Sequence, residues 1–151
     1  MKKRSYRRKK GPVQSKKITY DGINFASGLE RYMYMALKKA KIKALYEGET
    51  FELQEAFDFP FESYERCGNG KGDYKNRGNK KIFNIKYTPD FVGKGFIIET
   101  KGRANESFPL RWKMFKKLLT ENKIGPFTLY KPQNQKECDE TVRLILEKLK
   151  Q

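Results

Sequence analysis

Lysine and arginine outnumber acids 34 to 18 in this 151-residue chain, so carboxylates set against apolar runs ask for a reason. Three residues answer as a group. Asp90 lies in Tyr87-Thr88-Pro89-Asp90-Phe91, and Glu99 and Lys101 lie in Phe96-Ile97-Ile98-Glu99-Thr100-Lys101-Gly102. Side chains alternate along a strand, so Glu99 and Lys101 project to one face, and Phe96, Ile98 and Thr100 to the other. If the two runs pair as a hairpin about residues 93–95, Asp90 comes beside Glu99 or its neighbour. Two carboxylates and an ammonium then converge at the end of a sheet. Clustered carboxylates are costly to keep charged unless a cation joins them. Hard oxygen ligands select Mg²⁺ or Mn²⁺, which keep waters, bind phosphate oxygens and lower the pKa of a bound water. Lys101 would orient or help deprotonate that water and neutralise charge in the transition state. This is the chemistry of phosphodiester hydrolysis.

Composition narrows the field further. The chain has no histidine, which removes Ser-His-Asp and Cys-His hydrolases and every His-ligated metal site. Its two cysteines, Cys67 and Cys138, cannot build a disulfide framework, so a reducing, cytoplasmic setting is expected. No apolar run reaches the roughly 18 residues of a membrane span, and no apolar segment follows the basic start as in a secretory signal. A net charge of +16 points to a polyanionic partner, with nucleic acid foremost. Nine cations and no acid fall within residues 1–17, Arg7, Arg8, Lys9 and Lys10 among them. That stretch reads as a flexible arm that gains affinity by counterion release. The remaining surplus leaves residues 18–151 basic in their own right.

The elements that must position Asp90, Glu99 and Lys101 are legible from pattern. Asp21-Gly22 between short β-prone runs is a type I′ hairpin signature. Residues 27–40 read as a helix, with Leu29, Met33, Ala36, Leu37 and Ala40 in one stripe and Ser27 and Glu30 as a capping box. Residues 51–61 suggest a strand. Residues 62–81, polar and glycine-rich, read as a long mobile insertion. Strands are expected over 82–92 and 95–100, a helix over 108–122, a short buried strand over 127–130, and a closing helix from about Lys136. Phe108, Trp112, Phe115 and Leu119 form the buried stripe of the second helix; Arg111, Lys113, Lys116 and Lys117 form its other face, solvated or tracking phosphates. The sum is a single α/β domain, without repeats, large enough to bury a core.

Pro89-Asp90, eight residues, then Glu99-Thr100-Lys101 resembles the PD-(D/E)xK nuclease superfamily. Phe25-Ala26-Ser27-Gly28-Leu29-Glu30 resembles the opening of the first helix in the phage endonuclease I type of Holliday-junction resolvase, and the two later motifs match that family in the same order. The matched motifs span residues 25–102. The resemblance implies a restriction-endonuclease-like core, a mixed central sheet flanked by helices. It implies that Asp90 and Glu99 ligate Mg²⁺ or Mn²⁺, that Glu30 and the Thr100 carbonyl extend the metal site, and that Lys101 is the catalytic lysine. Glu47 and Glu49 lie near the position of a further family acid without matching it, and the insertion at 62–81 is longer than in that family. The activity implied is a phage-related, Mg²⁺-dependent endodeoxyribonuclease acting on Holliday or other branched DNA, at work in a host cytoplasm. A homodimer would follow from cutting a two-fold junction twice. Arg7, Arg8, Lys9, Lys10, Arg103, Arg111, Lys113, Lys116 and Lys117 are the candidate DNA contacts.

Each residue also has a structural reading. Glu30 can be a helix cap alone, Asp90 a turn former, and Glu99 and Lys101 an exposed strand pair. The function left open by those readings is a non-catalytic basic nucleic-acid-binding protein, whose binding would be salt-sensitive and indifferent to divalent metal. No aromatic RNA-binding signature is present.

Overall fold

The computed structural model describes residues 18–102, 107–121 and 124–151. The expected basic arm at 1–17, with Arg7, Arg8, Lys9 and Lys10, and the candidate DNA contact Arg103 lie outside the described residues. The chain opens with strands β1 (Ile18–Tyr20) and β2 (Ile23–Phe25), paired antiparallel. Between them Asp21 and Gly22 both have positive φ, 51° and 73°, the backbone a type I′ turn requires. Helix α1 (Gly28–Lys39) follows. Its N-cap Ser27 accepts from the Glu30 amide at 3.2 Å, and the Glu30 carboxylate reaches back to the Ala26 amide at 3.2 Å. The box thus closes one residue earlier than its usual form. Ser27→Ala is expected to lower stability by about 1 kcal/mol, read by denaturant unfolding.

After β3 (Ala44–Tyr46) come β4 (Phe51–Gln54), β5 (Phe57–Phe59), β6 (Tyr64–Glu65), β7 (Lys75–Asn76), β8 (Lys80–Ile82) and β9 (Ile85–Tyr87). These last six form one long antiparallel ribbon, β4 with β9, β5 with β8 and β6 with β7. The single strand expected over 51–61 is therefore two, with a register shift between Glu52 and Gln54. Residues 62–81, expected as a loop, carry β6, β7 and most of β8. Its glycines are confined to the tip and the joints, where Gly70 and Gly72 have φ of 75° and 81°.

Strands β10 (Phe91–Gly93), β11 (Phe96–Ile98) and β12 (Thr128–Tyr130) join β3 in the central sheet, in the order β12-β11-β10-β3. The β11–β12 pair is parallel and the others antiparallel. The strand expected over 82–92 is cut because the chain changes sheets: β9 pairs with β4, and β10 with β11 and β3. Pro89, fully buried at that crossing, has no N–H to give a ladder. The β10–β11 turn falls at Lys94 and Gly95, the latter at φ 80°. Gly93 is required by close approach, since a Cβ there would lie 2.1 Å from the Phe96 ring.

Helices α2 (Phe108–Glu121) and α3 (Gln135–Leu149) complete a mixed α/β fold, with three helices among the described residues. Alternation sorts the core into two layers. Phe91, Phe96, Ile98 and Tyr130 pack with Met33 and Leu37 of α1 and Cys138 and Ile145 of α3. Ile97 faces the other way, with Phe51, Tyr87 and the α2 residues Phe108, Trp112 and Phe115. The two cysteines are free, Cys67 exposed and Cys138 buried. Among the described residues no helix is long and apolar enough to cross a membrane.

Candidate active site

The β10–β11 register, Phe91 opposite Ile98, places Asp90 opposite Glu99 when carried one step outward. Both residues sit where the sheet's regular pairing stops, on the face that α2 covers. The backbone stays tied there: the Glu99 amide bonds the Tyr130 carbonyl at 2.9 Å and the Lys101 amide bonds the Pro132 carbonyl at 3.0 Å. Asp90 Oδ2 accepts from the Thr100 amide at 2.7 Å and from Thr100 Oγ1 at 2.6 Å. Glu99 Oε2 accepts from Tyr87 Oη at 2.7 Å, and Lys101 Nζ lies 3.7 Å from Glu99 Oε1. That ammonium also stands 4.5 Å from the centroid of the Phe108 ring, at the start of α2. Glu99 is 5% exposed and Thr100 6%.

Glu30 approaches from α1. Its Oε2 accepts from Tyr46 Oη at 2.6 Å, and its Oε1 from Ser27 Oγ at 3.1 Å. Capping and a site role are thus both open to this residue: the same carboxylate closes the helix end, and its charge is felt by both other acids.

Burial dominates the electrostatics. It pushes the Asp90 carboxyl up to about 8, with the charges of Glu99 and then Glu30 adding to the shift and the two Thr100 bonds opposing it. Burial also raises Glu99, against the Tyr87 hydroxyl and the Lys101 charge, which favour the carboxylate. The Tyr87 phenol is raised, first by burial and then by the charge of Glu99, and the Tyr46 phenol by burial and its bond to Glu30. Both tyrosines therefore stay protonated donors to their carboxylates.

Among the described residues no three His, Cys, Asp or Glu side chains are close enough to form a metal cage on their own. The donors that adjoin are the two carboxylates of Asp90 and Glu99. Such a pair suits Mg²⁺, which commonly takes one or two protein carboxylates and completes its octahedron with waters and substrate phosphate. Asp90 Oδ1 has no hydrogen-bond partner among the described residues, and Lys101 holds Glu99 Oε1 only loosely. A cation would also relieve the repulsion that raises both acids. The donor set fits.

Asp90, Glu99 and Lys101 are therefore brought together as the pattern predicts, whereas Thr100, placed by alternation on the opposite face, joins them through its amide and hydroxyl on Asp90. Arg111, Lys113, Lys116 and Lys117 all lie on the exposed face of α2. Two of them have neighbours on their own helix: Lys117 pairs with Glu121 at 3.5 Å, and Lys116 stands 5.7 Å from the Trp112 ring. Three further residues escaped the sequence reading. Tyr87 stood inside the quoted motif, and its odd-numbered spacing from Asp90 hid it. Tyr46 carried no signal, since its contact with Glu30 spans two elements. Lys131 follows β12, whose parallel register sets Ile98 beside Tyr130, so the next step outward sets Glu99 beside Lys131. Its ammonium lies 5.9 Å from the same Phe108 ring that Lys101 touches.

A family model described as "Protein of unknown function (DUF1064)" matches residues 9–128. The chain belongs to the DUF1064 family. The DUF1064 match takes in Glu30, Asp90, Glu99 and Lys101, and stops at the start of β12, before Lys131 and α3. Comparison with curated proteins and with solved structures finds no match.

Proposed function

We propose that this protein is a divalent-metal-dependent endodeoxyribonuclease of the PD-(D/E)xK type, with a restriction-endonuclease-like core, selective for Holliday or other branched DNA. The observation that carries the reading is the pairing of a half-buried carboxylate, Asp90, with a buried one, Glu99, in register at a sheet end, with an ammonium 3.7 Å from the latter. A structural role explains that arrangement poorly. Burying two like charges side by side is unfavourable, and an apolar pair would pack there without the cost.

Asp90 and Glu99 would hold Mg²⁺ or Mn²⁺, whose bound form supplies Lewis acidity that polarises the scissile phosphate and makes water a better nucleophile. The chain's own residues do the rest. Thr100 fixes the Asp90 carboxylate through two donors to one oxygen, so its rotamer is set before substrate arrives. Tyr87 holds Glu99 through a single hydroxyl donor. Lys101, held between Glu99 and the Phe108 ring, presents a cation where negative charge grows on the phosphoryl oxygens. Lys131, exposed just past the end of β12, would meet an adjacent phosphate. Lys131→Ala is expected to weaken DNA binding and to reduce the slope of log affinity against log salt by about 0.9, in a salt titration of junction binding without metal.

The deciding experiment incubates the full chain with Mg²⁺ or Mn²⁺ and a panel of four-way junction, flap, linear duplex and single-stranded DNA. Metal-dependent cutting, strongest on branched substrates and absent in chelator, is expected. Failure to cut any of them overturns the proposal. One observation favours the second reading, a non-catalytic nucleic-acid-binding protein: the convergence of two acids rather than three among the described residues. That reading requires binding indifferent to divalent metal and to Lys101→Ala.

A further inference from the structure

The ribbon from β4 to β9 has no part in the chemistry above, yet its composition is sorted. Its outgoing half, residues 51–65, holds five acids and no cation; its return half, residues 66–86, holds seven cations and one acid. Register sets three of the acids opposite cations: Glu52 with Lys86, Asp58 with Lys81 and Glu65 with Lys75. Opposite charges so placed favour the antiparallel register. Arg77 spans the outer end, bonding the Glu65 carbonyl at 3.1 Å and the Asp73 carbonyl at 3.2 Å. Of the cations with no acid opposite them in register, Arg66 and Lys71 lie at the tip and Lys80 on β8, while the acids left over are Glu55, Glu62 and Asp73.

Beside those cations the ribbon displays aromatic rings. Tyr64 and Tyr74 are 56% and 71% exposed, and their rings lie 6.3 Å apart on one face. β5 to β8 pair only with one another. A two-stranded ribbon is marginal in water by itself, and while the ring pair adds modestly to its stability, most of both rings is left in water. Rings flanked by cations are, however, a stacking platform for unpaired bases with phosphate contacts at its edges. A two-stranded ribbon also matches the width of the DNA major groove.

We propose that this ribbon is a nucleic-acid arm, whose tip stacks Tyr64 and Tyr74 on base faces exposed at the branch point of branched DNA while Arg66 and Lys71 contact the flanking phosphates. The proposal extends the nuclease reading to its substrate, but binding does not depend on hydrolysis. The test therefore measures binding of the full chain to a labelled four-way junction and to the matched duplex, without divalent metal. The Tyr64→Ala/Tyr74→Ala protein is expected to lose at least ten-fold in junction affinity and less than two-fold in duplex affinity. Tyr64→Phe/Tyr74→Phe, which keeps the rings, retains both. Arg66→Ala/Lys71→Ala weakens both substrates and reduces the salt slope by about 1.8. Unchanged junction binding by the ring-less variant, or equal loss on junction and duplex, overturns the proposal. So does a ring-less variant that binds DNA normally but no longer self-associates, since the arm then serves a second copy of the chain. Absence of cleavage by the wild-type protein with these binding differences intact would sink the hydrolytic reading alone.

Discussion

The Asp90→Asn protein is expected to bind a four-way junction at least as well as wild type, to cut it roughly a thousand-fold more slowly, and to unfold at a higher temperature in metal-free buffer at pH 8. The loss of cutting follows from removing one of two carboxylates in the proposed metal site together with its charge. The gain in stability follows from burial. In the folded protein the Asp90 carboxyl is pushed up to about 8, against an ordinary value of 3.8 in the unfolded chain. Between those values the folded state holds a proton that the unfolded state has released, so stability falls as pH rises through the interval. The contribution is fully present below the unfolded pKa and lost above the folded one. Asparagine keeps an oxygen for the two Thr100 donors, carries no charge to repel Glu99, and removes that pH dependence. Its advantage at pH 8 is on the order of 2 kcal/mol, because each pKa unit is worth about 1.4 kcal/mol and the burden is shared with Glu99. Thermal unfolding of both proteins from pH 4.5 to 8.5, with and without Mg²⁺, reads the effect. Mg²⁺ should raise wild-type stability at pH 8 and leave the variant unmoved. A less stable variant would mean that the carboxylate is a structural element, and equal cutting would mean that it is not a ligand.

A second large effect is expected far from any charge. Phe115 is fully buried, and its ring lies 4.9 Å from that of Tyr87, 5.0 Å from Phe51 and 6.0 Å from Trp112. Phe115→Ala opens a cavity under three aromatic rings and should cost about 3–5 kcal/mol, a large share of a small domain's stability. Urea unfolding at pH 6 reads it directly. The cavity also lies beneath the tyrosine that fixes Glu99, so the fraction that remains folded should cut more slowly than wild type. Phe115→Leu fills most of the volume and should recover the greater part of both losses. Identical cutting by the folded fraction of Phe115→Ala would show that Tyr87 does not need this floor to hold Glu99.

What pattern alone predicts here is whatever depends on neighbours in the chain. The Asp21-Gly22 turn, the Ser27 cap and the stripes of Met33 and Leu37, Trp112 and Phe115, and Cys138 and Ile145 are all local, set by a few residues' backbone preference or by helical period. The pairing of Asp90 with Glu99 was legible for the same reason: the turn at Lys94 and Gly95 closes a hairpin short enough for alternation to carry the register. What needed the folded chain is whatever joins distant segments. Nothing local says that Pro89 marks a change of sheet, that Tyr46 reaches Glu30, or that a parallel strand brings Lys131 to the Phe108 ring beside Lys101. Nor does local pattern distinguish a polar loop at 62–81 from a ribbon, because its strands are mostly exposed, without an apolar face to show as alternation, and pair with positions up to 23 residues away. Short-range stereochemistry decides which elements form; only burial and long-range pairing decide which of their side chains share one site.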